Sequence, residues 1–75
     1  MATISAWRRK IDKLDKKLVR LLNERAKYTD KIGKLKEKLG LGAYSPEREE
    51  EILRNVLEWN EGPLPTDVLR RLYER

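Results

Sequence analysis

The sequence predicts an all-α fold of three helices, one long and two short, that form an intertwined helical dimer. Three observations lead to this prediction. Apolar residues over 5–39 recur at alternating steps of four and three, which is the seam period of a coiled coil. A Gly-Leu-Gly segment at 40–42 then ends the pattern. Two shorter stretches that carry helix-start signals follow this break.

The first helix is predicted to run from Ser5 to Leu39, with Thr3 or Ser5 as its N-cap and Gly40 as its left-handed C-terminal residue. Such a helix is roughly 50 Å long, and the rest of the chain is too short to cover it. The uncovered part of the seam therefore requires a second copy, in an intertwined or antiparallel arrangement. The apolar seam residues are Trp7, Ile11, Leu14, Leu18, Leu21, Tyr28, Ile32, Leu35 and Leu39.

The second helix begins with Ser45 as the N-cap, a proline at the first position and an acid in the first turn. It is predicted to end near Trp59, and the Gly- and Pro-containing segment 60–65 is predicted to be a loop. Thr66 is predicted to cap the third helix, which the chain end cuts short.

Composition limits the chemistry of this chain. Its 75 residues predict a single domain over 1–75, and the absence of Cys and His excludes Cys–His and Ser–His–Asp catalysis. Carboxylate-only Mg²⁺ sites stay open, but no convergent cluster of Asp and Glu stands at a helix-face spacing. The formal charge of +5 favours anionic partners, but interleaved acids and the lack of an aromatic platform argue against nucleic acid. No membrane segment or signal peptide is seen, so a cytoplasmic protein is predicted.

Arg25 occupies the seam position where an apolar residue would pack best. A buried guanidinium needs either a carboxylate partner or an anionic ligand. Lys36 lies about 20° around the helix and roughly 16 Å along it, so both cations face the same way, with Ile32 between them. The alternatives are a structural ion pair for Arg25 and a solvated surface position for Lys36.

Two charged residues stand at the head of the apolar stripes of the second helix. Arg48 precedes Ile52 by four residues, and a cation in the first turn opposes the helix dipole. Glu49 follows it directly. Each residue alone is consistent with an ordinary surface position. Together with Arg25 and Lys36 they favour an anion pocket more than any one of them does, but periodicity alone leaves the surface interpretation equally open.

Five short motifs follow one another along the chain. They are Arg8-x-x-Ile11-Asp12-x-x-Asp15, Leu21-Leu22-Asn23-Glu24-Arg25-Ala26, Ile32-Gly33-x-x-Lys36, Pro46-Glu47-Arg48-Glu49 and Asn60-Glu61-Gly62-Pro63-Leu64. In this order and at this spacing they resemble the all-helical class of chorismate mutases. The resemblance implies a three-helix protomer with a long first helix, usually in an intertwined dimer with two active sites. It also implies the concerted rearrangement of chorismate, a dianion, to prephenate without a nucleophile, metal or cofactor.

The resemblance also implies roles for individual residues. Arg25 would bind one substrate carboxylate, and Arg8 of the partner protomer would bind the other. Lys36 would hydrogen-bond the ether oxygen and Glu49 the ring hydroxyl. The supporting and lining residues would be Arg48, Ser45, Ile32 and Ile52, with Ser45 at a position where the family often carries a substrate-contacting Asp.

The third helix departs from the family pattern. In the family it continues for about two turns and supplies a Gln or Glu to the ether oxygen, and no residue here corresponds to it. We therefore expect a shortened domain or part of a longer or fused chain, and both an active and an impaired enzyme stay open. Two other hypotheses are a metabolite-binding regulatory module and a plain dimerisation domain in which Arg25 only sets the register.

Overall fold

The computed structural model describes residues 3–42 and 44–74, and these residues contain three helices and no strand. The all-α prediction, with one long helix followed by two short ones, is confirmed. The chain divides into two compact units, Met1–Ala43 and Tyr44–Arg75. The helices are α1 (Ile4–Lys38), α2 (Pro46–Trp59) and α3 (Thr66–Tyr73).

The first unit consists of α1 and its two ends. Thr3 is the N-cap, with extended backbone dihedrals, and its Oγ1 accepts a 3.1 Å hydrogen bond from the amide of Ala6. This bond satisfies one of the amide groups that the first helical turn leaves without an intrahelical partner. Of the two predicted caps, Thr3 is therefore the correct one, and the helix starts one residue before the predicted Ser5.

The C-terminal end of α1 is a Schellman motif. Gly40 has a φ of 70°, and its amide donates to the carbonyl oxygen of Glu37 at 3.2 Å. The amide of Leu41 donates to the carbonyl oxygen of Lys36 at 2.8 Å. A glycine is favoured at this position because a side chain at positive φ is strained. The predicted left-handed Gly40 is confirmed.

The apolar seam of α1 is exposed in the single chain. Its nine residues from Trp7 to Leu39 have between 53% and 65% of their surface accessible. Gly33 lies in the same helix, and a Cβ added to it would meet no described atom within 4 Å apart from its chain neighbours and the surrounding helix backbone. An apolar stripe of this length is unusual on a monomeric surface and indicates an interaction site.

The second unit begins with the cap of α2. Ser45 has extended backbone dihedrals, and its Oγ accepts a 3.4 Å hydrogen bond from the amide of Arg48. The same hydroxyl donates to Oε2 of Glu47 at 3.2 Å. Pro46 occupies the first helical position, where its missing amide hydrogen costs nothing. The predicted start of α2 and its end at Trp59 are confirmed.

The loop between α2 and α3 is organised by Asn60. Its side-chain amide donates to the carbonyl oxygen of Leu64 at 2.9 Å, and its Oδ1 accepts from the amide of Gly62 at 3.0 Å. The predicted cap of α3 is wrong. Pro65 is the N-cap, without a side-chain hydrogen bond, and Thr66 already belongs to the helix. Pro65 combines a φ of −62° with a ψ of 143°, so its backbone is extended and the helix begins at Thr66. The missing amide hydrogen of proline costs nothing at a helix start, because the first amide groups have no intrahelical acceptor.

Helices α2 and α3 pack against each other. No described residue of the chain is fully buried, so the apolar side chains of this pair are only partly withdrawn from solvent. Burial of this extent leaves a single chain with little hydrophobic stabilisation. The half-buried apolar residues of this unit are Ile52, Leu53, Val56, Leu57 and Leu69.

Candidate active site

Three predicted site residues share one face of α1. Ile32 lies seven residues and Lys36 eleven residues beyond Arg25, which places both within about 20° of it around the helix. Arg25 and Ile32 are exposed, and Lys36 is half-buried. The two cations are separated by roughly 16 Å along the axis, a gap that two long, inward-leaning side chains can narrow around a small anion.

Arg8 does not belong to this face. It precedes Arg25 by seventeen residues, which is roughly 25 Å along α1 and about 100° around it. The side chains of Arg8 and Arg25 on one helix therefore cannot hold the same small ligand. If Arg8 takes part in this site, it must come from another molecule.

The predicted residues of the second unit also share a face. They stand at positions i, i+3, i+4 and i+7 from the cap of α2, the spacing of one helical stripe. Arg48 is exposed, and its three companions are half-buried. This face combines a hydroxyl, a guanidinium, a carboxylate and an apolar side chain. Its members are Ser45, Arg48, Glu49 and Ile52.

Arg48 forms an ion pair with Glu51, in which its Nη1 donates to Oε1 of the carboxylate three residues on. Sequence reasoning missed Glu51. The signal was present, because acids and bases at i,i+3 are neighbours on a helix. This pair also places a negative charge beside a cation that would otherwise oppose the dipole at the start of α2.

Glu49 lines a cavity of about 300 Å³ within the second unit. Two tyrosines on its wall, Tyr44 and Tyr73, were not predicted as site residues. The sequence pattern places Tyr73 on the apolar stripe of α3, which indicates packing and not a site, whereas Tyr44 gives no periodic signal. The remaining residues of the wall are Glu50, Leu53 and Glu74.

Residues 3–42 and 44–74, which the structure describes, contain no group of three or more carboxylate-type ligands placed to hold a metal ion. None of their helices has the length and apolar character that crossing a bilayer requires.

Residues 7–75 match the family model described as chorismate mutase type II. The chain belongs to this family. The match covers both units and includes every predicted site residue, and it confirms the resemblance drawn from the five motifs.

Solved structures of chorismate mutase from Thermus thermophilus share the fold. For form I the TM-score is 0.89 at 40% identity, with 93% of this chain and 88% of that chain covered. Form II gives a TM-score of 0.90 at the same identity, with 80% of that chain covered. These structures resemble the present chain over most of the length of both.

Curated relatives are longer proteins. The bifunctional chorismate mutase/prephenate dehydratase of Neisseria gonorrhoeae is 48% identical over 67 residues, which cover 88% of this chain and 18% of the relative. The protein of the same name from Aquifex aeolicus is 39% identical over 77 residues, covering 97% of this chain and 21% of the relative. The chain thus spans about a fifth of the length of these relatives.

Proposed function

We propose that the chain is a chorismate mutase that rearranges chorismate to prephenate in a cationic pocket. The observation that supports this proposal best is the common face of Arg25, Ile32 and Lys36 on α1. Two cations about 16 Å apart, with an apolar residue between them, suit an anionic substrate with an apolar ring. The description of the family, chorismate mutase type II, supports chorismate as the substrate.

The reaction needs no group from outside the substrate. The ether C–O bond breaks while a C–C bond forms between the enolpyruvyl arm and the ring, so electrons and atoms balance within one molecule. The protein can contribute by holding the arm over the ring and by stabilising the negative charge that grows on the ether oxygen. A chain without His or Cys can do both with Arg, Lys and Glu.

The roles on α1 follow from its charges. Arg25 binds one substrate carboxylate through its planar fork of donors. Lys36 donates to the ether oxygen as the C–O bond breaks, because its ammonium is a compact point charge. Ile32 forms an apolar wall between them.

The roles on α2 are carried over from the resemblance to the family, and the common face of these side chains supports them. Glu49 accepts a hydrogen bond from the ring hydroxyl, and Arg48 supports the pocket through its charge. Ser45 contacts the substrate in addition to capping α2. Ile52 forms the second apolar wall, consistent with its half-buried side chain.

We propose further that the active form is a homodimer in which Arg8 acts in trans on the second carboxylate. The exposed seam of α1 supports dimer formation, because nine apolar residues more than half exposed require a covering surface. A second copy supplies a seam of the same period and the same length. The position of Arg8, roughly 25 Å from Arg25 on the same helix, supports its action from the partner.

The loss of chorismate absorbance with purified protein tests the proposal. Arg25→Ala and Lys36→Ala should each lower kcat/KM by about 10²–10³. Lys34→Ala is the matched control, because Lys34 carries the same charge on another face of α1 and pairs with Asp30 at 3.1 Å. Turnover that survives both substitutions would refute the cationic pocket.

The exposed seam also favours a second candidate, a dimerisation or metabolite-binding module without turnover. An inactive parent that still dimerises and binds a chorismate analogue would favour the binding module. An inactive dimer that binds no analogue would favour the dimerisation domain. A cytoplasmic location remains a prediction, which fractionation of cells carrying the natural gene would test.

A further inference from the structure

We propose that Glu51 is a positioning residue for Arg48, and this inference rests on the proposed function. The guanidinium of Arg48 donates through Nη1 to Oε1 of Glu51. The main chain of Arg48 is held as well, because its amide donates to Oγ of Ser45. Both ends of this residue are therefore tied to groups of the same unit.

The ion pair lies next to the predicted binding face. Arg48 shares that face with Ser45, Glu49 and Ile52, and Glu51 directly precedes Ile52. A guanidinium has five N–H donors, and a carboxylate engages two of them at most. The remaining donors are available to an anionic ligand, so Glu51 can orient Arg48 without consuming its binding capacity.

By positioning the Arg48 side chain, Glu51 lowers the conformational entropy that is lost when an anionic ligand binds. An arginine side chain has many rotamers, and a ligand that uses it must bear the cost of immobilising it. The ion pair restricts those rotamers in advance. Because the two side chains are 59% and 51% exposed, water and salt weaken the pair, and its effect is modest.

Glu51→Gln tests the assignment and removes the charge while nearly conserving shape. We expect KM for chorismate to rise about two- to fivefold, the range that exposed ion pairs support, with kcat little changed. The control is Glu58→Gln, an exposed acid farther along α2. In an Arg48→Ala background, Glu51→Gln should change KM no further. Equal effects of Glu51→Gln in both backgrounds would overturn the proposal.

A second measurement does not depend on turnover. The side-chain Nε–Hε resonance of Arg48, observed by NMR in the free protein, should shift in Glu51→Gln and stay unchanged in Glu58→Gln. An unchanged resonance in both variants would overturn the positioning role even in an active enzyme. An inactive parent whose resonance does shift would refute the proposed function alone and leave the Arg48–Glu51 relationship standing.

Discussion

The amide of Leu41 donates a 2.8 Å hydrogen bond to the carbonyl oxygen of Lys36. The Schellman motif that ends α1 therefore forms one of its hydrogen bonds with Lys36, the residue that we propose donates to the ether oxygen of the substrate. Lys36 is also half-buried on a helix whose residues are nearly all exposed. Helix termination and the placement of this cation are therefore linked, and the link depends on the positive φ of Gly40.

Gly40→Ala should lower the free energy of unfolding by about 1–2 kcal/mol, because an alanine at a φ of 70° is strained. It should also lower kcat by loosening the turn that carries Lys36. Urea unfolding and the chorismate assay measure the two effects. Gly42→Ala is the control, because Gly42 does not adopt the left-handed conformation and an added Cβ meets no described atom. Equal losses of unfolding free energy in both variants would contradict the explanation that the positive φ of Gly40 causes the loss.

Complementation between two inactive variants tests Arg8 in trans. Arg8→Ala and Lys36→Ala should each be nearly inactive alone. Mixed, unfolded together and refolded, they should recover about a quarter of the parent activity, because half of the dimers are mixed and each has one intact site. Each variant refolded alone provides the control. If Arg8 served its own chain's site, no activity would return.

Leu18→Glu should dissociate the dimer, because a charge placed in an apolar seam is costly to bury. Leu18 lies in the exposed stripe of α1. Sedimentation at micromolar concentration should give the dimer mass for the parent and the monomer mass for the variant. Lys17→Glu, which introduces the same side chain one position off the seam, should remain a dimer. A parent that sediments as a monomer would remove the basis for Arg8 in trans.

Substitutions at Ser45 separate its two proposed roles. Ser45→Ala should lower the free energy of unfolding by about 1 kcal/mol, whereas Ser45→Gly should lower it by only a few tenths. If the hydroxyl also contacts the substrate, both variants should raise KM by similar factors. A KM for Ser45→Gly equal to that of the parent would limit Ser45 to capping. Thermal unfolding and initial rates supply the two readouts.

Local chemistry made much of this molecule predictable. Thr3, Gly40 and Ser45 cap or end a helix through hydrogen bonds to residues only a few positions away in the chain. The helix boundaries could therefore be placed almost correctly from these residue types. The common face of Arg25 and Lys36 follows from helical periodicity alone. The third helix shows the limit, because Thr66 carries a capping side chain and yet Pro65 takes the cap. There the extended backbone of Pro65 starts the helix one residue earlier than the hydroxyl of Thr66 predicts.

The sequence by itself determined the three helices, the family and the grouping of candidate residues on each helix, because these depend on spacings of three and four residues. Only the tertiary structure decided which side chains from other segments lie around these candidate residues. The pairing of Arg48 with Glu51 is local by contrast, because their i,i+3 spacing already allows it. The cavity that joins Glu49 to Tyr44 and Tyr73 depends on how α2 and α3 pack. Contacts between separate segments are set by packing, which no short-range pattern encodes.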